Sequence, residues 1–219
     1  MFAEVPEVYI ADGHHRAASA FNVGLLRKQR YLDSGKEATG HEDFNYFLAI
    51  FYPDNQLKIL DYNRVLKTLN GHTPEELISA LQANFEVVEI TDPHPPAKGT
   101  FSMFLAGKWT GLRLRPGVVT ATDPVSTLDT EILTNYVLRP IFGISDLRTD
   151  ERIDFVGGIR GLEELERRCQ ADCVCAFALH PVQVSEVMTI ADATMLMPPK
   201  STWFEPKPRS GMVVRLFEH

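Results

Sequence analysis

Apolar and polar positions change period often along this chain, which predicts a mixture of helices and strands. Val8 to Ala11 is β-prone and stops at Asp12-Gly13, where a helical pattern begins. That helix should run from about His14 to Leu32, with Ala17, Ala18, Phe21, Leu25 and Leu26 on its buried side. Ser34 to Gly40 reads as a mobile loop. Phe44 to Tyr52 reads as a strand closed by Pro53-Asp54-Asn55, with Leu57 to Tyr62 as its antiparallel partner. Thr73-Pro74-Glu75-Glu76 starts a helix, with a hydroxyl cap, then proline, then acids, and the helix ends near Asn84.

Further along, Val87 to Ile90 reads as a strand, and Asp92 to Pro96 is too proline-rich for regular structure. Thr100 to Leu105 and Trp109 to Leu114 form a hairpin pattern about Ala106-Gly107-Lys108. A second strong helix spans Thr127 to Leu138. Ile153 to Val156, Leu162 to Cys169 and Val174 to Leu179 then read strand, helix, strand. A last helix (Val184 to Ala191) precedes two short strands around Trp203 and Val213. Hairpins beside a β-α-β unit indicate an α+β protein, with mixed sheets and flanking helices. Two regions follow, 1–91 and 92–219, which could also be one continuous domain.

Length and charge narrow the functions. The 219 residues allow one large domain or two small ones. A net charge of -7 opposes a duplex nucleic-acid surface, which needs a basic footprint. No apolar run approaches the ~20 residues of a membrane helix, and Glu4, Glu7 and Asp12 interrupt any signal-peptide pattern. Three cysteines do not make a disulfide scaffold, so a reducing cytoplasm is the expected setting.

Candidate chemistry concentrates in two places. In the turn Asp12-Gly13-His14-His15-Arg16, a helix start exposes backbone N–H groups at its positive end, beside two histidines and an arginine. Such a place attracts an anion, most naturally a phosphate, and Gly13 lets the ligand approach the backbone. Asp12 would cap the helix or hold magnesium beside the phosphates. The plainer alternative is a charged helix start, but adjacent histidines and an arginine directly after the cap favour the anion. The second place is Met197 to Gly211, where Lys200, Ser201 and Thr202 sit among prolines and aromatics. Those three residues could present donors to an anion, or the segment could be a sheet edge with solvated charges.

Other patterns read as structural. Cys169, Cys173 and Cys175 lack partners at zinc spacing, so no zinc is expected and a core role is favoured. Gly157-Gly158-Ile159-Arg160-Gly161 lacks the lysine and hydroxyl of a phosphate loop and reads as a tight β-α turn. Arg64, after a strand end, reads as a solvated arginine.

The Tyr9 to Arg16 turn, Leu128-Asp129 with Leu138 to Ile144, Asp154 to Gly161, and Met197 to Thr202 with Pro206-Lys207 and Gly211 together resemble a bacterial and archaeal family. That family is known as domain of unknown function 1015. Its members are about twice as long, so the resemblance implies that this chain corresponds to their C-terminal half, with an N-terminal half as partner.

Gly13, His14 and Arg16 are also similar to the phosphate-binding box of the ParB/sulfiredoxin-like superfamily, which implies a strand-turn-helix at the N-terminus. Asp12 matches the Asp-Gly-His-x-Arg form of its free-serine kinase branch. In that branch the general base lies upstream of the box, where this sequence has few residues. Sulfiredoxin chemistry is not expected, because His14 stands at the reactive cysteine position. ParB-type DNA binding is not expected without a helix-turn-helix.

Three expectations follow. The first is a nucleotide-dependent phosphotransferase acting on a small hydroxyl metabolite, using ADP or ATP with magnesium. His14, His15 and Arg16 would grip the phosphates, and Lys200, Ser201 and Thr202 would close the site. The second is a non-catalytic module that binds a nucleotide or phosphorylated metabolite. The third is the structural half of a longer protein.

Overall fold

The computed structural model describes residues 4–215. They divide into two compact units: residues up to Leu57 together with those from Pro206 onward, and Lys58–Glu205.

The larger unit is built on a six-stranded antiparallel sheet. Its strands are β2 (Tyr62–Leu66), β3 (Phe85–Val88), β4 (Thr100–Leu105), β5 (Lys108–Leu114), β6 (Ile153–Gly157) and β7 (Cys175–Leu179), in spatial order β3-β5-β4-β7-β2-β6. Side chains alternate between its faces. Leu66, Phe101, Met103 and Phe177 enter one apolar cluster with Leu77 and Leu81 of α2 (Pro74–Leu81) and Ile132 and Leu133 of α3 (Asp129–Leu133). Val65, Phe104, Val156, Ala176 and Ala178 enter the other, with Leu165 of α4 (Glu163–Ala171). Helices therefore cover both faces, the α+β arrangement expected from the sequence.

Local chemistry fixes several elements as read. Thr73 and Glu76 form a reciprocal capping box at α2, with Pro74 in its first turn. Ala106 and Gly107 both have positive φ and close the β4–β5 hairpin in two residues. The helix from Asp129 continues through a wider π turn at Thr134–Leu138. In α5 (Val184–Asp192), Gln183 and Glu186 form a second capping box. The strand-helix-strand unit is present as β6-α4-β7, but β2 lies between β6 and β7 and runs antiparallel to both.

Four expectations are corrected. Phe44–Tyr52 is not a strand: a short 3-10 turn at Asp43–Asn45 gives way to irregular chain. The segment expected to pair with it, as β1 (Lys58–Leu60), instead pairs with β8 (Trp203–Glu205), which satisfies the backbone groups along one of its edges. Val8–Ala11 and Val213, though β-prone, join no sheet among the described residues. Finally, α1 (His14–Asp33) forms as expected but buries none of its residues. Phe21, Leu25 and Leu26 are exposed, while Ala17, Ala20, Gly24, Arg27 and Tyr31 form its more sheltered stripe. Gly24 explains the choice: the Phe44 carbonyl approaches so closely that a Cβ there would come within 2.7 Å of it. Tyr31 meets the Phe44 ring edge-on at 5.5 Å.

Candidate functional site

The smaller unit holds the Asp12–Arg16 turn. Gly13 is the N-cap of α1 with φ of 82°, a left-handed conformation that glycine adopts without strain. The Asp12 carboxylate does not cap the helix. Its Oδ1 accepts the Gly13 N–H at 2.8 Å, and its Oδ2 accepts from Lys207 Nζ at 2.9 Å. Burial acts to raise its pKa, yet the Lys207 and Gly13 hydrogen bonds and the nearby Arg16 charge hold it below the ordinary carboxylate value. The first turn of α1 contains no acidic residue and receives no side-chain cap. The Arg16 side chain folds back over Gly13, so that a Cβ there would lie 3.0 Å from Nη2. His14, His15 and Arg16 are exposed. The turn thus joins uncapped amide donors, two imidazoles and a guanidinium at a positive helix end.

Magnesium fits this turn poorly. Asp12 is already charge-paired with Lys207, so a cation there would meet a carboxylate whose charge is partly neutralised and would be repelled by the nearby ammonium. Among the described residues, no cluster of three or more His, Cys, Asp or Glu gathers into a metal site. Cys173 and Cys175 are buried, and desolvation raises the pKa of Cys173, Cys175 and the partly buried Cys169, which itself reaches about 12. Such thiols are unreactive.

Lys200, Ser201 and Thr202 lie in the larger unit. Ser201 is buried and its hydroxyl donates to Thr130 Oγ1 at 3.2 Å, a packing role. Lys200, at φ 59°, holds its ammonium 5.7 Å from the Tyr62 ring centroid and 5.8 Å from that of Phe155. Tyr62 stacks on Phe155 at 6.0 Å and meets Trp203 at 5.8 Å. The glycine turn serves this cluster. A Cβ on Gly157 would overlap the Trp203 ring, and one on Gly158 would overlap Asp61.

The sequence reading missed two groups. Arg64 is not solvated but fully buried in β2, and desolvation lowers its pKa to about 10 against the opposing influence of Tyr62 and Glu131. It follows an equally buried Asn63, whose Oδ1 accepts the Leu179 N–H at 3.0 Å, so two polar residues disguised a central strand. Asp129 is only 5% exposed and accepts the Gly99 N–H at 2.9 Å. Desolvation raises its pKa to about 6 despite that bond. Its position at a helix start, where an exposed acid is ordinary, concealed this.

By fold, this is an α+β protein with an antiparallel sheet covered by helices. The chain belongs to the family described as "Protein of unknown function (DUF1015)", which matches residues 1–131 and so takes in both the Asp12 turn and Asp129. No curated protein matches it. Among solved structures, a variant of free serine kinase in complex with ADP is 16% identical with a TM-score of 0.42. A variant in complex with AMP is 16% identical with a TM-score of 0.41. In both cases the alignment covers 89% of this chain and 66% of the other. A conserved hypothetical protein from Pyrococcus furiosus is 14% identical, with a TM-score of 0.43 and coverage of 92% and 72%. Likenesses this remote transfer no activity. No helix among the described residues is long and apolar enough to cross a membrane.

Proposed function

We propose that the Asp12–Arg16 turn binds the phosphates of a nucleotide, and that the protein is a nucleotide-dependent phosphotransferase for a small hydroxyl-bearing metabolite. The observation that carries this is the first turn of α1: left-handed Gly13, no acid, no side-chain cap, and Arg16 folded over the glycine. Free amides and a guanidinium there complement phosphate oxygens. His14 and His15 add donors, most strongly when protonated. A second reading, a module that binds without turnover, is favoured by Asp12, whose ion pair with Lys207 leaves it poorly placed to serve as a base or hold a metal.

The test is a thermal-shift titration with ADP, ATP, CTP and inorganic phosphate, with and without magnesium, on wild type, His14→Ala and Arg16→Ala. Ligand at 100 times its Kd should stabilise the fold by ~2.7 kcal/mol. The shift should vanish in both variants. Equal shifts in wild type and variants would place the anion elsewhere. Nucleotide consumption on adding hydroxyl metabolites would select the phosphotransferase, and binding without consumption the module.

A further inference from the structure

The larger unit contains a cation with an unfilled role. Arg64 is fully buried, yet only its Nη1 finds a hydrogen bond, to the Tyr62 carbonyl. Nε and Nη2 have no partner. These two atoms form one edge of the guanidinium, whose parallel N–H groups match the two oxygens of a carboxylate or phosphate. A buried donor left unpaired is costly, and the cost is greater for a charged group. Natural cores rarely keep one without a use.

The surroundings favour an anion. Arg64 lies 5.4 Å from the Phe155 ring centroid, and exposed Lys200 lies 5.8 Å from the same centroid. Two cations thus share one aromatic platform, with Tyr62 stacked beside it. The nearby acid is Glu131, whose partly buried carboxyl is shifted upward by desolvation and whose charge is felt by Arg64, but the two form no ion pair. Lys200 occupies a left-handed backbone conformation that a lysine adopts only at a cost, and such strain gathers at ligand sites. Segments from three separate parts of the sequence supply the cluster: Tyr62-Asn63-Arg64, Phe155 to Gly157, and Lys200 to Trp203.

We propose that the Nε–Nη2 edge of Arg64, with Lys200 at its outer rim and Tyr62, Phe155 and Trp203 around it, is a binding site for a small oxyanion, the carboxylate or phosphate group of a ligand. This site belongs to the larger unit and does not depend on the Asp12 turn. Because Arg64 is fully buried, the anion reaches the edge only as the covering side chains move. Lys200, exposed beside the same Phe155 ring, supplies the second cation to pair with it.

The experiment follows Trp203 emission in a Trp109→Phe background, together with the Arg64 Nε–H resonance. Inorganic phosphate and acetate are titrated separately, with chloride at matched ionic strength as control. Either anion should move both signals saturably while chloride moves neither, and the stronger of the two identifies the group. Arg64→Lys keeps the charge but loses the paired edge, and should weaken binding by about tenfold or more, as expected for a lost charge-assisted bond. Lys200→Ala, at an exposed position, tests the rim without threatening the fold and should weaken binding severalfold. The proposal is overturned if neither anion moves either signal, or if affinity is unchanged in Arg64→Lys and Lys200→Ala. It is also overturned if Glu131→Gln alone shifts the Arg64 resonance as far as saturating anion shifts it in the parent, because Glu131 would then fill the edge. Loss of the response in His14→Ala with retention in Lys200→Ala would assign it to the turn and likewise overturn the proposal.

Discussion

The two units use similar amphipathic sequence to opposite effect. Every residue found buried among those described lies between Lys58 and Glu205. In the smaller unit, α1 is 20 residues long and buries none, while Phe21, Leu26, Phe47 and Phe51 stand more than half exposed. In the larger unit the sheet presents two apolar faces, one covered by α2 and α3 and the other by α4. Periodicity shows that a helix has an apolar side, but only a partner surface turns that side into a core.

A matched pair of truncations should separate the two units most strongly. Leu133→Ala, at a site with 0% exposure inside the main cluster, should cost about 2–5 kcal/mol in chemical denaturation. Phe21→Ala, at 65% exposure, removes a larger side chain and should cost no more than about 0.5 kcal/mol. If Phe21→Ala proved as damaging as Leu133→Ala, the outer face of α1 would be covered in solution and the contrast between the units would fail.

Two glycines sharpen the same contrast. A Cβ on Gly157 would collide with the Trp203 ring, which packs over that glycine and meets the ring of Tyr62, the residue paired with it in β2. Gly157→Ala should therefore cost about 1–3 kcal/mol and alter Trp203 emission. Gly24→Ala also creates a close approach, to the Phe44 carbonyl, but it gains up to ~1 kcal/mol of helix propensity. The chain after Phe44 is irregular and mostly exposed, so the segment can yield, and the net change should be near zero. A cost at Gly24 matching that at Gly157 would show the smaller unit to be as tightly packed as the larger.

How much was legible in the sequence follows from the same difference. Elements whose signals are local were readable: the Thr73 capping box, the Ala106-Gly107 hairpin, and the helix from Asp129. Partnership was not. Leu57 to Tyr62 looked like a hairpin partner for Phe44 to Tyr52 because the two are adjacent, whereas β1 pairs with β8, far away in the sequence. Asn63 and Arg64 broke the apolar pattern of β2, since a polar residue in a strand normally marks solvent. The helix start after Gly13 was legible because its residues are contiguous. The Arg64 cluster was not, because its members come from three distant stretches.

Asp129 gives a pH test confined to the larger unit. Its folded pKa of about 6 lies above its ordinary value of 3.8. Between those values the folded state holds a proton that the unfolded state has released. Stability from this group is therefore greatest below pH ~4, declines as pH rises, and levels off above pH ~6. Asp129→Asn keeps an oxygen for the Gly99 N–H and abolishes the decline. It should gain about 1–3 kcal/mol at pH 7.5 and nothing at pH 4, by denaturation at each pH. An equal effect at both values would show that the carboxyl is solvated, contrary to its 5% exposure.

The smallest effect belongs to the corresponding charge in the smaller unit. Asp12 and Lys207 pair at 2.9 Å, but their side chains are 46% and 41% exposed. Exposed pairs contribute about 0–1 kcal/mol, so Lys207→Ala should cost about 0.5 kcal/mol at neutral pH. Here the folded pKa lies below the ordinary value. The stabilisation is therefore present above pH ~4 and disappears as Asp12 takes up its proton in more acidic solution. Wild type and Lys207→Ala should converge there, and NMR titration of Asp12 should show its pKa rising in the variant. Raising the salt concentration should shrink the neutral-pH difference, because the pair is open to screening. A loss of several kcal/mol that salt leaves intact would mean that this pair is buried in solution, and that the smaller unit has a core of its own.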